Sequence, residues 1–251
     1  MNKVDLFAWV RANQPNGKLT QTQVNAVDTM LLAMSPVTVQ DILSQLNGWT
    51  MTSGKKLTKG EIIAVAKDLA VEPAALKAVI DVEAAGEGFD EQGRPTILFE
   101  PHVFWDQLTK IRYFTKRDEL SKSHPGILSP TWDKSLYKVG GSSHDKLKVA
   151  AELNWEAAHK SASWGLGQVM GFNAEKIGYA SIKEFVADMY ESEAKQLKAM
   201  GRFLKANNLI GKIQRHDWAG FALGYNGRSY AKNKYDIKLA AAYALAKRQG
   251  W

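Results

Sequence analysis

The feature that most constrains this chain is a change of periodicity within residues 79–104, where a helical pattern gives way to a strand pattern across a pair of glycines. The helical part predicts an apolar face, and Glu83 continues that face seven residues after Leu76. Gly86 and Gly88 predict the end of the helix just beyond it. A carboxyl group is therefore expected in the last turn of a largely buried helix.

This position of Glu83 predicts an unusual acid. Partial burial and the carbonyl end of the helix dipole both disfavour a charged carboxylate, so the pKa of the group is expected to rise. A carboxyl group that stays protonated near neutral pH can donate a proton to a leaving oxygen. The alternative is an ordinary carboxylate at the rim of the apolar face, paired with a lysine or an arginine.

A second carboxylate follows the first across a short β excursion. Residues 96–100 are rich in strand-forming side chains and lie between two prolines, which predicts a strand with Glu100 on the same face as Leu98. Two carboxylates held apart on a helix end and a strand are the arrangement that glycoside hydrolysis uses. The alternative for this residue is a structural ion pair with Arg94 or Arg112.

Composition limits the class of protein. With 251 residues, 45% of them hydrophobic, the chain suits one large domain or one domain with a small appendage. The absence of cysteine excludes disulfides and thiolate metal sites, and the five histidines show no HExxH or paired spacing, so no metal site is expected. The amino terminus lacks an apolar signal core and no stretch is long enough to span a bilayer, so action outside the cytoplasm would require release by another factor.

Residues 1–53 predict three short helices, and a polar linker follows at about residues 50–56. Such a module is marginal alone, and it is either a substrate-binding unit or an extension that completes the core. We therefore expect a small helical module at residues 1–53 and a larger domain at residues 54–251.

Positive charge is concentrated in the last part of the chain. Residues 195–251 hold 12 basic and 2 acidic side chains, a charge of +10, whereas the whole chain carries +7. Such a block favours attraction to a polyanion, whether nucleic acid, an anionic cell envelope or a lipid surface. The alternative is a solvated basic face that only aids solubility.

Three further segments carry candidate functional residues. Residues 121–143 are rich in proline and glycine and predict a long loop, which we interpret as the wall of a cleft. The sequence SWGLGQVM at 163–170 predicts glycines at a helix entrance, where a ligand can approach the backbone and Gln168 can donate and accept hydrogen bonds. The sequence GYNG at 224–227 predicts a turn with a ring and an amide, as in sugar recognition, or else a plain Asn-Gly turn.

These motifs occur in the order found in a known group of enzymes. Glu83 at a helix end, then SWGLGQVM, then GYNG resemble the motifs of goose-type lysozymes and lytic transglycosylases. More closely, VEAAGEGFD, GRPTILFEPHVF and SWGLGQVMGFN resemble the N-acetylmuramidase family of phage endolysins. The resemblance covers roughly residues 57–251 and implies a mostly α-helical, lysozyme-like domain with a small β-hairpin.

The resemblance also implies a function. It implies an endolysin that hydrolyses the β-1,4 bond between N-acetylmuramic acid and N-acetylglucosamine in peptidoglycan, lyses the host cell and needs no metal or organic cofactor. It makes Glu83 the general acid and Glu100 the second carboxylate. The residues expected to line the sugar cleft are Ser163, Trp164, Gln168, Tyr225 and Asn226. The expected partner is the glycan strand rather than nucleic acid, and we expect a monomer that is made in the host cytoplasm and acts on the wall after release.

Two alternatives stay open. Lytic transglycosylases usually have serine where this chain has Ala84, and the distance in sequence from Glu83 to SWGLGQVM is larger here, about eighty residues. A transglycosylase can work with one acid because the substrate's own hydroxyl attacks, whereas an activated water favours a second carboxylate. We therefore expect hydrolysis, with transglycosylation to anhydro products as the alternative. A further alternative is a basic protein that mainly binds or disrupts the envelope.

Overall fold

A computed structural model of the chain describes residues 56–83, 87–124 and 126–251. These residues belong to one compact unit, Ser53–Trp251. The helical module predicted at residues 1–53 lies outside the described residues and stays a prediction.

The described part of the chain is mainly helical, with one small sheet. Its α-helices are α1 Lys59–Asp68, α2 Pro73–Glu83, α3 Pro101–Lys110, α4 Phe114–Ser123, α5 Ser143–Leu153, α6 Trp155–Lys160, α7 Ile182–Glu191, α8 Glu193–Ala206, α9 Ile210–Gln214, α10 Trp218–Asn226 and α11 Tyr235–Arg248. Its 3₁₀ helices are Lys134–Lys138, Gly171–Asn173 and Arg228–Asn233. Its strands, β1 Ile97–Phe99, β2 Ala162–Trp164 and β3 Val169–Met170, form an antiparallel sheet in the order β1-β2-β3. The predicted mostly α-helical architecture with a small hairpin, β2–β3, is confirmed.

Helix α2 is the central element of the core. Pro73 occupies its first position, where the missing N–H has no helical partner to lose, and Leu76 and Val79 are completely buried. Helices α1 and α11 pack against it. The helix ends at Glu83, whose half-buried side chain continues the apolar face as the periodicity predicts.

Three stretches that the sequence predicts as single helices, at about residues 105–120, 146–160 and 181–207, are each two helices in the structure. Ser192 has an extended backbone, with φ of −170°, between α7 and α8, and its hydroxyl accepts from the N–H of Lys195. Asn154, with φ of −157°, separates α5 from α6 and caps α6 through the N–H of Ala157. Between α3 and α4, Arg112 adopts a left-handed φ of 59°. The caps replace hydrogen bonds that the breaks remove, which explains why apolar spacing alone misses them.

The sheet has one buried face and one open face. In β1 the first and third residues are buried, whereas Leu98 between them is 40% exposed. Leu98 pairs with Ser163, and Ser163 pairs with Met170, so these side chains share the open face. Glu100 follows Leu98 on that face, but it precedes α3 as its N-cap instead of ending the strand, so the predicted strand is too long.

Candidate functional site

Glu83 and Asn226 meet where helices α2 and α10 end. Nδ2 of Asn226 donates to Oε1 of Glu83 at 2.8 Å, although the two residues lie 143 positions apart. Asn226 is the last residue of α10, so the predicted turn at residues 224–227 is mostly helical. Gly227 ends the helix with a φ of 74°, a conformation that glycine adopts without strain.

The surroundings of Glu83 favour its protonated form. Burial raises the pKa of Glu83 above its ordinary value of 4.5, while the hydrogen bond from Asn226 and the positive charge of Lys238 partly offset this rise. The partner that binds the carboxyl group is an amide rather than a lysine or an arginine. The predicted direction of the pKa shift is therefore confirmed. Among the described residues, Glu83 binds Asn226 in place of the surface ion pair that the alternative interpretation required.

Tyr225 joins this helix end to the hairpin. Its hydroxyl donates to the carbonyl oxygen of Gly167 at 2.8 Å, and its ring stacks on Phe221 with centroids 5.5 Å apart. Burial, followed by the charge of Glu83, holds the pKa of Tyr225 well above its usual range, so the hydroxyl remains a donor. Tyr225 thereby links the Glu83 end of α2 to the turn between β2 and β3.

Residues 163–170 form a β-hairpin, not the helix entrance that the sequence predicts. Gly165 and Gln168 both have positive φ, of 61° and 44°. Nε2 of Gln168 donates to the carbonyl oxygen of Gly165 at 2.8 Å, and its Oε1 accepts from the hydroxyl of Ser163 at 2.8 Å. Ser163 is largely covered, whereas Gln168 is exposed, so the hydroxyl holds an amide that faces solvent.

Trp164 does not lie on the open face. Its side chain is 1% exposed, and its indole N–H donates to the carbonyl oxygen of His159 at 3.1 Å. Because it alternates with Ser163 along β2, its ring points to the buried face of the sheet. This placement corrects the expectation that Trp164 lines the sugar cleft, since the ring supports the sheet from within the core.

Two buried polar side chains of α8 hold Gly88, which lies between α2 and β1. The N–H of Gly88 donates to Oε1 of Glu193 at 3.0 Å, and its carbonyl oxygen accepts from Nε2 of Gln196 at 3.0 Å. The Gln196 amide also donates to the carbonyl oxygen of Met189 at 2.9 Å and accepts from the N–H of Leu166 at 2.8 Å. One side chain therefore fixes both Gly88 and the hairpin turn.

Sequence reasoning missed this anchor. Added Cβ atoms at Gly88 and Gly165 would lie 2.2 Å and 2.5 Å from atoms of the Gln196 amide, so both contacts require glycine. The available signal was the position of Gln196 on the apolar face of α8, beside Leu197 and one turn before Met200. A polar residue on such a face indicates a buried hydrogen-bond network.

Glu100 lies at the other end of β1 and has its own partners. The hydroxyl of Tyr137 donates to Oε2 of Glu100, and Nδ1 of His102 lies 3.4 Å from the same oxygen. Arg94 instead binds an aspartate four residues before it, at 2.9 Å. Within residues 87–124, no ion pair joins Glu100 to Arg112. The structural alternative offered by the sequence therefore does not form.

Glu83 and Glu100 are connected to the sheet at different places. Gln168 donates to the carbonyl oxygen of Thr96 at 3.3 Å, next to the start of β1, whereas Glu100 follows the end of that strand. A strand advances about 3.3 Å per residue, so roughly 13 Å of backbone separates Thr96 from Glu100. Glu83 is connected to the turn that carries Gln168 through Asn226 and Tyr225.

Metal-binding clusters and membrane-spanning helices are both absent from the part of the chain that the structure describes. Within residues 56–83, 87–124 and 126–251, no three His, Asp or Glu side chains are grouped so that they could hold a metal ion. No helix within those ranges combines the length and the apolar character needed to cross a membrane.

Known proteins resemble this chain in sequence and in fold. The profile of the N-acetylmuramidase family matches residues 72–247. The crystal structure of Burkholderia AP3 phage endolysin is similar to this chain, with a TM-score of 0.67 and 34% sequence identity, and the match covers 77% of this chain and 73% of that chain. Among curated proteins, none matches.

We expect the pKa of Glu83 to rise further in Asn226→Ala and in Lys238→Gln, because each change removes an interaction that favours the ionised carboxylate. The effect of the exposed Lys238 should shrink as salt is added, whereas that of the hydrogen bond should persist. An NMR titration of the labelled Glu83 carboxyl measures both, with Lys234→Gln as the control lysine. A pKa that stays constant or falls in both variants would contradict this account.

Proposed function

Because this chain belongs to the N-acetylmuramidase family of phage endolysins, we propose that it cuts the β-1,4 bond between N-acetylmuramic acid and N-acetylglucosamine, with Glu83 as the general acid. It is a glycoside hydrolase of the lysozyme type. The observation that carries the proposal is the half-buried carboxyl group at the end of α2, oriented by Asn226 and lacking a strong cationic partner. Cleavage of the glycan strand in this way would lyse the host cell.

The geometry suits proton donation. Asn226 engages Oε1 of Glu83, which leaves Oε2 to carry the proton toward the glycosidic oxygen. Burial keeps the acid protonated at higher pH than an exposed glutamate. Once the proton has left, the amide of Asn226 and the charge of Lys238 stabilise the carboxylate that remains. The same two groups therefore assist the acid after transfer without ionising it beforehand.

Glu100 is the candidate for the second carboxylate. It lies on the open face of the sheet, and the hydroxyl of Tyr137 fixes one of its oxygens. In this role it would orient the attacking water or stabilise the positive charge that develops on the sugar. Hydrolysis needs such a group more than transglycosylation does, so Glu100 is the residue that separates the two reactions.

The cleft residues divide into those that face the glycan and those that support them. Gln168 is exposed beside the open face, and we assign it and Asn226 to direct contact with sugar amides and hydroxyls. Ser163 holds Gln168 through its hydroxyl, and Tyr225 holds the hairpin turn through Gly167. These last two act by position rather than by contact with substrate.

Glu83→Gln is expected to lower turnover on purified peptidoglycan by about 10²–10⁴-fold, because it keeps the shape of the side chain and removes the transferable proton. Binding to the same peptidoglycan should change little. Glu87→Gln is the matched control, since Glu87 is an exposed carboxylate nearby that pairs with Lys56 at 2.7 Å. Near wild-type turnover in a folded Glu83→Gln protein would overturn the assignment.

Glu100→Gln is expected to reduce turnover while leaving the melting temperature nearly unchanged, because the amide oxygen can still accept from Tyr137. Asp106→Asn, an exposed position on α3, provides the control. Initial rates and thermal melts on the three proteins measure the effect. If Glu100→Gln were as active as the wild type, the proposed second carboxylate would be wrong and transglycosylation would become the better explanation.

The basic carboxyl-terminal segment supports a second contact with the wall. Part of its charge is used internally, since Lys247 binds Glu72 and Lys205 donates to the carbonyl oxygen of Asp68 at 3.0 Å. Other lysines of the segment are exposed, namely Lys232, Lys234 and Lys238. We propose that these exposed lysines attract the anionic cell envelope.

Binding of the chain to cell envelopes is therefore expected to weaken as salt rises, because exposed charges are screened beyond about 8 Å at physiological ionic strength. Changing the three exposed lysines to glutamine should reduce both the binding and its dependence on salt. The control removes the same charge elsewhere, at Lys110, Lys116 and Lys122. Sedimentation with purified envelopes measures binding, and equal loss in the two triple variants would show that only net charge matters.

A further inference from the structure

Trp132 is an exposed tryptophan in the segment between α4 and α5. Within the described ranges it is among the most exposed of the large hydrophobic residues, since 61% of its surface is accessible, compared with 1% for Trp164. Its indole N–H donates to the hydroxyl oxygen of Tyr137 at 3.1 Å. The polar edge of the ring is therefore already bonded, and what remains accessible is an aromatic surface in a defined orientation.

Tyr137 connects this tryptophan to Glu100. Its hydroxyl accepts from Trp132 and donates to Oε2 of Glu100. Burial, followed by the hydrogen bond and charge of Glu100, raises the pKa of Tyr137 to about 12, so the hydroxyl keeps its proton at neutral pH. The three side chains form one directed series of hydrogen bonds that ends on the carboxylate beside the open face of the sheet.

The segment that carries this series is anchored to the core. Lys146 of α5 is 2% exposed, and its Nζ donates to the carbonyl oxygen of Leu136 at 2.7 Å. Asp133 caps the 3₁₀ helix that contains Tyr137, by accepting from a backbone N–H at 2.8 Å. A ring that is held in place before a ligand arrives loses little conformational freedom on binding.

We propose that Trp132 forms a subsite for an N-acetylglucosamine unit of the glycan strand, at the Glu100 end of the open face. This inference rests on the proposed function, because a glycan substrate is what brings a sugar ring to this face. The apolar face of a sugar ring stacks on an aromatic surface, whereas the lactyl group of N-acetylmuramic acid, which carries the peptide stem, adds bulk beside its ring. The unsubstituted sugar of the repeating pair is therefore the one that fits.

The subsite is distinct from the site of proton transfer. Trp132 reaches Glu100 through Tyr137 and does not itself contact that carboxylate in the series of hydrogen bonds. The sugar on Trp132 is therefore a neighbour of the sugar at which Glu83 and Glu100 act. The subsite should be filled by long glycan fragments and left empty by short ones.

Calorimetric titration with short and long oligomers of N-acetylglucosamine tests the inference. The full chain carries Glu83→Gln, so that turnover does not consume the ligand. Trp132→Ala should weaken binding of the long oligomer about tenfold and leave the short oligomer unaffected. Trp132→Phe, which keeps an aromatic ring, should weaken it less, and Tyr137→Phe, which frees the indole N–H, should have an intermediate effect.

The matched control is Phe114→Ala, which removes an aromatic side chain that is 47% exposed on α4 and outside the proposed subsite. On peptidoglycan, with Glu83 restored, Trp132→Ala should raise KM and change kcat by less than about twofold. Unchanged affinity for the long oligomer in both Trp132 variants, or an equal loss in Phe114→Ala, would overturn the subsite. Thermal melts establish that each variant is folded.

The outcomes separate this inference from the proposed function. If Glu83→Gln keeps its turnover but Trp132→Ala still loses affinity for the long oligomer, the proposed acid is wrong and the subsite stands. If Glu83→Gln is inactive and Trp132→Ala binds both oligomers like the parent, the subsite is wrong and the acid stands.

Discussion

The amide of Gln196 makes three hydrogen bonds inside the core, with the carbonyl oxygens of Gly88 and Met189 and with the N–H of Leu166. An apolar replacement would remove all three bonds, and the carbonyl oxygen of Gly88 would keep only the bond from the N–H of Thr96 at 3.0 Å. A buried backbone group that is left without a partner costs about 1–3 kcal/mol. Gly88 and the turn of the hairpin share this anchor. Tyr225 binds the same turn through Gly167, and the next residue, Asn226, holds the carboxyl group of Glu83. The candidate acid is therefore connected to a polar contact made in another helix.

The chemistry of the two carboxyl groups differs because their surroundings differ. Glu83 is half-buried at a helix end, and burial raises its pKa. Glu100 accepts a hydrogen bond from Tyr137, which lies beside an exposed tryptophan. The buried Lys146 attaches the segment that carries these two aromatic residues to α5. The surroundings of Glu83 are therefore suited to proton transfer, and those of Glu100 are suited to holding a carboxylate and a sugar in fixed positions.

Sequence patterns predicted those features that depend on local spacing and missed those that depend on tertiary contacts. The helical period placed Glu83 at the rim of the core, and strand alternation placed Glu100 on the open face. The sequence could not show that Trp164 is buried and Trp132 is exposed. The burial of Trp164 follows from the pairing of its neighbour Ser163 with Leu98, and the exposure of Trp132 follows from the anchoring of a long loop. The pairing of Asn226 with Glu83 crosses 143 positions, and no local pattern reports such a contact.

The most direct measurement of the central claim is mass spectrometry of the fragments that the full chain releases from purified peptidoglycan in water enriched in heavy oxygen. Hydrolysis with Glu83 as the acid predicts reducing N-acetylmuramic acid ends that carry one heavy oxygen from the attacking water. Fragments that end in 1,6-anhydro-N-acetylmuramic acid without heavy oxygen would contradict the account, because they require attack by the substrate's own hydroxyl.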